Sequence, residues 1–126
     1  MTARLMLLFA AVSGFCAVAL GAFGAHALKA VLTGYTAQVY QTAVSYQFYH
    51  TLALLVAALL LLQFGHRSFR LAGLCFTTGI LFFSGSLYTL ALSGVHWLGA
   101  ITPVGGLLML SGWLCLGWGI FQSVRD

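Results

Sequence analysis

The sequence predicts an all-α integral membrane protein with four transmembrane helices in an up-down bundle. Hydrophobic residues make up 62% of the 126 residues, charged residues make up 5%, and the mean hydropathy is +1.05. Soluble domains carry about 25% charged residues, so this much apolar surface requires a bilayer. The apolar residues fall into four long runs. Because a span needs about 20 apolar residues, residues 1–126 are expected to form a single transmembrane domain.

The first helix is predicted over residues 5–28, where an apolar run follows Arg4. This run is longer than the apolar core of a signal peptide, which has about 7–15 residues. Small residues recur at every fourth position and form a face that lets a second helix approach closely. These residues are Ala17, Gly21 and Ala25.

The second helix is predicted over residues 37–63, after a Thr33-Gly34 turn and with Thr36 as its N-cap. Its length of about 40 Å exceeds the hydrocarbon core of about 30 Å, so its first turns should project or bend along the interface. One face carries polar and aromatic residues at seven-residue spacing and leads into an apolar stripe. It comprises Tyr40, Ala43, Gln47, His50, Leu54, Ala57 and Leu61.

The third and fourth helices are predicted over residues 69–92 and 103–122. Ser93-Gly94 ends the third, and Thr102-Pro103 is typical of an N-cap followed by proline in the first helical turn. Glycines recur every seven residues along the fourth helix and predict a second close-packing face. They are Gly105, Gly112 and Gly119.

The basic residues predict the orientation in the membrane. Four of them fall on one side of the four spans, namely Arg4, Arg67, Arg70 and Arg125, and Lys29 alone falls on the other. Because cytoplasmic loops carry the excess of Lys and Arg, both termini are expected in the cytoplasm. The scattered positions of these charges argue against a nucleic-acid partner.

Polar residues at membrane depth are the candidate functional residues. With the termini inside, they fall in the outer half of the bundle, and unpartnered polar groups in hydrocarbon cost several kcal/mol. They should therefore face one another, either as inter-helix hydrogen bonds or as the lining of a pocket that opens outwards. This candidate cluster comprises His26, Gln47, His50, Ser84, Ser86, Tyr88 and Thr102.

Several chemistries receive little support from the sequence. The one acidic residue is Asp126, so no carboxylate is present for paired acid–base work or to orient a histidine. Cys16, Cys75 and Cys115 lack metal spacing, so we expect no metal site and no cofactor. His26 and His50 on different helices meet only the minimum for bis-histidine haem ligation.

Several motifs carry a resemblance to a known family. They run from Gly21 to Lys29, at Thr42-Ala43 and from Tyr46 to His50, then from Phe83 to Tyr88 and from Ile101 to Gly106. In this order they resemble the domain of unknown function 423, a family of small bacterial inner-membrane proteins related to eukaryotic transmembrane protein 256. The resemblance covers essentially the whole chain and implies a multi-pass membrane protein without assigned catalytic or ligand residues. Tyr40 stands where the family pattern leads us to expect tryptophan.

The sequence therefore predicts a non-enzymatic binding or accessory module of the inner membrane. Its expected partners are membrane lipids, a second copy or another subunit of a membrane complex. Two alternatives remain open: a small transporter or channel component, and a redox protein that binds haem or quinone.

Overall fold

A computed structural model describes residues 1–123 and contains four long α-helices. They are α1 (Ala3–Ala25), α2 (Gly34–Phe64), α3 (Arg67–Ser93) and α4 (Thr102–Ser123), with a short 3₁₀ helix, His96–Ala100, before α4. Each of the four is long and apolar enough to cross a membrane. No strand occurs in the part of the chain that the structure describes. The predicted all-α membrane architecture is therefore confirmed.

Local sequence explains where the helices end. Gly65 and Gly94 follow α2 and α3 with φ of 67° and 72°, the left-handed conformation that commonly closes a helix. The first helix ends three residues before its predicted limit, and α2 begins three residues before its predicted start. Thr36 is therefore inside α2 instead of capping it, and its Oγ1 accepts a hydrogen bond from the Thr33 backbone N–H at 3.1 Å.

Helices that are neighbours in sequence pack against each other in antiparallel pairs. α2 and α3 lie at the centre, α1 packs mainly on α2, and α4 packs mainly on α3. Within residues 1–123, α1 and α4 do not contact each other, so the up-down array is open on one side. We call the end that carries residues 26–33 and 94–101 the loop end, and the opposite end the terminal end.

The α3–α4 interface consists of phenylalanines packed onto glycines. A Cβ added at Gly105 would lie 2.7 Å from the Phe83 Cα, and one at Gly112 would lie 2.6 Å from the Phe76 ring. At Gly119 the Phe69 ring would lie at 2.7 Å. Each step of seven residues along α3 is therefore matched by seven along α4. The glycine face lies where its spacing placed it, and any larger side chain would force the helices apart.

The small-residue face of α1 is only partly as expected. Ala17 is buried, and a Cβ at Gly21 would lie 3.3 Å from Val44 of α2. Ala25, however, is exposed, because it is the last residue of α1. Gly24 instead packs directly against the Tyr40 ring, so the close-packing face turns towards Gly24 near the loop end.

The two ends of the bundle differ in polarity. Near the terminal end the core is apolar and includes Met6, Leu61, Phe69 and Leu116. The exposed cations at that end are Arg4, Arg67 and Arg70, whereas Lys29 is exposed at the loop end. Arg125 lies outside the described residues. The cytoplasmic location of both termini remains a prediction.

Candidate functional site

Gln47 is the centre of a hydrogen-bond network that joins three helices. Its side chain is 6% exposed. The Tyr88 hydroxyl of α3 donates to Gln47 Oε1 at 2.7 Å, and Gln47 Nε2 donates to the Ser13 carbonyl oxygen of α1 at 3.0 Å. Ser13 Oγ lies 2.7 Å from Thr51 Oγ1 on α2. We call these four residues (Ser13, Gln47, Thr51 and Tyr88) the glutamine hub.

Three further hydrogen bonds connect helices towards the loop end. Ser84 Oγ donates to the Ala43 carbonyl oxygen at 2.8 Å, and the Tyr40 hydroxyl donates to the Leu20 carbonyl oxygen at 2.7 Å. Ser86 Oγ and Thr102 Oγ1 lie 2.7 Å apart. The Thr102 side chain therefore joins α4 to α3 instead of capping α4, and the Ile101 carbonyl accepts from the backbone N–H of Val104.

These polar groups satisfy one another. Within residues 1–123, every fully buried side-chain nitrogen and oxygen has a hydrogen-bond partner. The arrangement matches inter-helix stabilisation, in which each hydrogen bond contributes about 0.6 kcal/mol. Ser13 lies at the middle of α1, so the network reaches mid-membrane depth instead of remaining in the outer half.

His50 is buried but faces a different neighbour from Gln47. Trp113 Nε1 of α4 lies 3.3 Å from His50 Nε2, and His50 Nδ1 lies 2.8 Å from the Tyr46 carbonyl oxygen. Since an indole N–H can only donate, Nε2 accepts and the ring proton is on Nδ1. The sequence had placed His50 in one polar cluster with Ser84 and Tyr88. His50 turns towards α4 because three residues rotate about 300° around a helix, which places it about 60° away from Gln47.

His26 does not belong to either arrangement. Its side chain is exposed at the loop end, directly after the last residue of α1. The prediction that it joins the polar cluster is therefore wrong, because α1 ends before it. The two histidines required for haem ligation are not brought together, and both His50 nitrogens already have protein partners. Within residues 1–123 there is no cluster of three metal-ligating side chains.

A groove between α2 and α4 opens beside His50. Its volume is about 510 Å³, within the range of small-molecule sites. We call it the α2/α4 groove, and its lining consists of Tyr46, Tyr49, His50, Gly106, Met109, Leu110 and Trp113. Gly106 leaves the α4 side open, since a Cβ there would lie 3.9 Å from its nearest neighbour, the Phe83 ring.

Aromatic rings form the floor and one wall of the groove. The Tyr46 ring stacks on Phe83 with centroids 4.7 Å apart, and it also stacks on His50 at 5.8 Å. Phe76 of α3 supports the floor, with its ring 5.4 Å from Trp113 and 5.9 Å from His50. The groove is therefore fixed by all three of the helices around it.

Comparison with known proteins identifies the family. Residues 20–106 match the family described as protein of unknown function (DUF423). The chain belongs to this family. The resemblance predicted from the motifs is thereby confirmed.

Curated relatives agree with this assignment over almost the whole chain. The chain is 45% identical over 125 residues to the UPF0382 inner membrane protein YgdD of Escherichia coli K12, covering 99% of this chain and 95% of the relative. It is 42% identical over 123 residues to the UPF0382 membrane protein SH2409 of Staphylococcus haemolyticus, covering 96% and 98%. No solved structure matches the chain. This member of the DUF423 family is thus a multi-pass inner-membrane protein, as the sequence predicted.

Three residues that hydrogen-bond in the hub or to His50 were not among the candidates from the sequence: Ser13, Thr51 and Trp113. The candidates also lacked most of the groove lining, namely Tyr46, Tyr49, Gly106, Met109 and Leu110. Ser13 is the one hydroxyl residue inside the apolar run of α1, and Thr51 follows Gln47 by one helical turn. Trp113 lies mid-helix, where its indole N–H needs a protein partner, unlike an interfacial tryptophan. Each of these signals was present, but only the packing shows which polar groups meet.

Proposed function

We propose that this DUF423-family protein is a non-enzymatic binding module of the inner membrane, which holds a membrane-soluble ligand in the α2/α4 groove. The observation that carries the proposal is the contrast between the groove and the rest of the polar interior. The polar groups of the glutamine hub bond to one another, and the cavity beside Gln47 and Tyr88 has only about 170 Å³. The α2/α4 groove, in contrast, has about 510 Å³, is walled by aromatic rings and is reachable from the bilayer. Trp113 is 49% exposed and Tyr49 is 59% exposed, although both lie well inside their helices.

The side chains around the groove favour binding over catalysis. His50 is the one titratable imidazole there, and both of its nitrogens are occupied by Tyr46 and Trp113. A general base needs a free nitrogen within hydrogen-bond reach of the substrate. The one acidic residue of the chain, Asp126, is distant in sequence from every groove residue. The groove is therefore suited to hold a molecule and not to transform it.

The core gives little support to a transporter or channel. Near the terminal end, one apolar core contains Met6 of α1, Leu61 of α2, Phe69 of α3 and Leu116 of α4. A pore through this end would need polar side chains or water along its path. Apart from Ser68, the buried side chains there are apolar, so the groove is best understood as a site that opens sideways into the bilayer.

The test fills the groove with a bulky side chain and measures which bound small molecules are lost. Gly106→Phe places a ring in the groove, whereas Gly117→Phe places one on the same helix where nothing lies within 4 Å of a Cβ. Each variant and the wild type are extracted with native lipids, and the retained small molecules are identified by mass spectrometry. We expect a molecule at fixed stoichiometry with the wild type and Gly117→Phe that is lost with Gly106→Phe. Equal retention by both variants would contradict the proposal.

A further inference from the structure

Two tyrosine hydroxyls distinguish the α2/α4 groove from the other lipid-facing surfaces. The hydroxyls of Tyr40 and Tyr88 donate to protein acceptors. Within residues 1–123, those of Tyr46 and Tyr49 have no protein partner, although both line the groove. A phenol in hydrocarbon loses the hydrogen bond that it would make in water. The groove therefore offers two donors to any ligand that brings acceptors.

The depth of these tyrosines can be read from their neighbours. The Tyr46 ring stacks on Phe83, whose backbone meets Gly105, one turn into α4. α4 has 22 residues and is about 33 Å long, close to the thickness of the hydrocarbon core. Tyr46 is thus about one turn below the start of α4, and Tyr49 is about one turn deeper. The donors lie above the stretch of the groove that Met109, Leu110 and Trp113 line.

The remaining lining complements a flat ring with an apolar tail. The Tyr46 and His50 rings are nearly parallel, with 24° between their planes, and Trp113 lies at the deeper end. Aromatic faces prefer offset stacking with other flat rings. Met109 and Leu110 continue the groove along α4 as flexible or aliphatic surface.

We propose that the ligand class of this groove is a prenylated quinone: a planar ring with carbonyl oxygens and an isoprenoid tail. The inference rests on the proposed binding function. The carbonyl oxygens accept hydrogen bonds from Tyr46 and Tyr49, the ring lies against the aromatic wall, and the tail follows Met109 and Leu110 past Trp113. An acyl chain alone offers no acceptor at this position, whereas a quinone carries acceptors, a flat ring and a tail in one molecule. Binding is non-covalent and involves no electron transfer.

The test uses Trp113 as the reporter, because quinones quench tryptophan fluorescence. Trp97→Phe and Trp118→Phe replace two exposed tryptophans and leave Trp113 as the single emitter. The protein is placed in phosphatidylcholine nanodiscs and titrated with decylubiquinone. We expect saturable quenching that becomes about tenfold weaker in Tyr46→Phe/Tyr49→Phe, the loss expected for two hydrogen bonds. Tyr35→Phe, an exposed tyrosine outside the groove lining, is the matched control and should bind like its parent.

A second single-tryptophan protein, which retains Trp118, reports quenching by quinone dissolved in the bilayer. The inference is overturned if quenching of Trp113 rises linearly with quinone concentration, as that of Trp118 does. It is also overturned if Tyr46→Phe/Tyr49→Phe leaves the quenching of Trp113 unchanged. A further measurement uses the chain with all its tryptophans, purified from native membranes. The amount of quinone that co-purifies should fall in Tyr46→Phe/Tyr49→Phe and should be unchanged in Tyr35→Phe.

Brominated phosphatidylcholine separates this inference from the broader proposal. If decylubiquinone fails to bind but a brominated acyl chain quenches Trp113, and Gly106→Phe abolishes that quenching, the groove holds phospholipid. The binding function then stands and the quinone inference fails. If a partner helix covers the groove, neither quencher reaches Trp113 in the native complex, and the quinone inference fails as well.

Discussion

The glutamine hub and the α2/α4 groove start from residues of α2 that are three positions apart, yet they have opposite properties. Gln47 turns towards α1 and α3, where its amide nitrogen donates to the Ser13 carbonyl oxygen and its amide oxygen accepts from the Tyr88 hydroxyl. His50 turns towards α4, which contacts α2 only sparsely. The hub is therefore a buried, internally bonded polar network, and the groove is an open aromatic surface. The comparison shows that polar residues on one helix can serve packing on one side and recognition on the other.

The largest expected effect comes from the interface beneath the groove. Gly112→Leu would push against the Phe76 ring, which supports both His50 and Trp113. We expect a loss of about 3 kcal/mol in unfolding free energy, because overpacking separates the helices. Gly117→Leu, on the open side of α4, should change it by less than about 0.5 kcal/mol. Unfolding in mixed micelles measures both, and equal tolerance would show that α3 and α4 are not packed this closely.

The second effect tests whether the hub is structural. Gln47→Leu leaves the Tyr88 hydroxyl and the Ser13 groups without their amide partner, so we expect a loss of about 2 kcal/mol in unfolding free energy. Gln41→Leu is the control, since Gln41 is exposed on the same helix. Ligand retention per folded molecule should be unchanged by either substitution. A Gln47→Leu protein that is stable but has lost the groove ligand would break the distinction between the two regions.

The smallest effect concerns His50, which lines the groove and lies three residues after Gln47 of the hub. His50→Phe removes the acceptor of the Trp113 indole N–H and keeps an aromatic ring, so we expect a loss of about 1 kcal/mol in unfolding free energy. The emission of Trp113 should shift, because its hydrogen bond is gone. His96→Phe, which keeps an aromatic ring at the exposed stack with Tyr35, should leave Trp113 emission unchanged. An unshifted spectrum in His50→Phe would mean that the Trp113–His50 hydrogen bond does not form in the membrane.

The sequence alone determined the class of the protein and most of its helices. Apolar runs of the length of a bilayer can satisfy their backbone only as helices, so composition and length were sufficient. The glycines at residues 105, 112 and 119 also predicted a packing face, because only a residue without a side chain lets a second helix approach so closely. Ser93-Gly94 also marked the end of α3, where Gly94 has the left-handed conformation that closes a helix.

The tertiary structure decided which polar residues meet. His26 was expected in the cluster but lies outside it, because α1 ends at Ala25 and leaves His26 exposed at the loop end. Ser13 and Trp113 entered the site because α1 and α4 bring them opposite Gln47 and His50, and Thr51 joined it through its hydrogen bond to Ser13. A hydrogen bond between two helices forms only if their rotation and register are correct to within about an ångström. The sequence pattern of one helix does not reveal how the neighbouring helix is rotated.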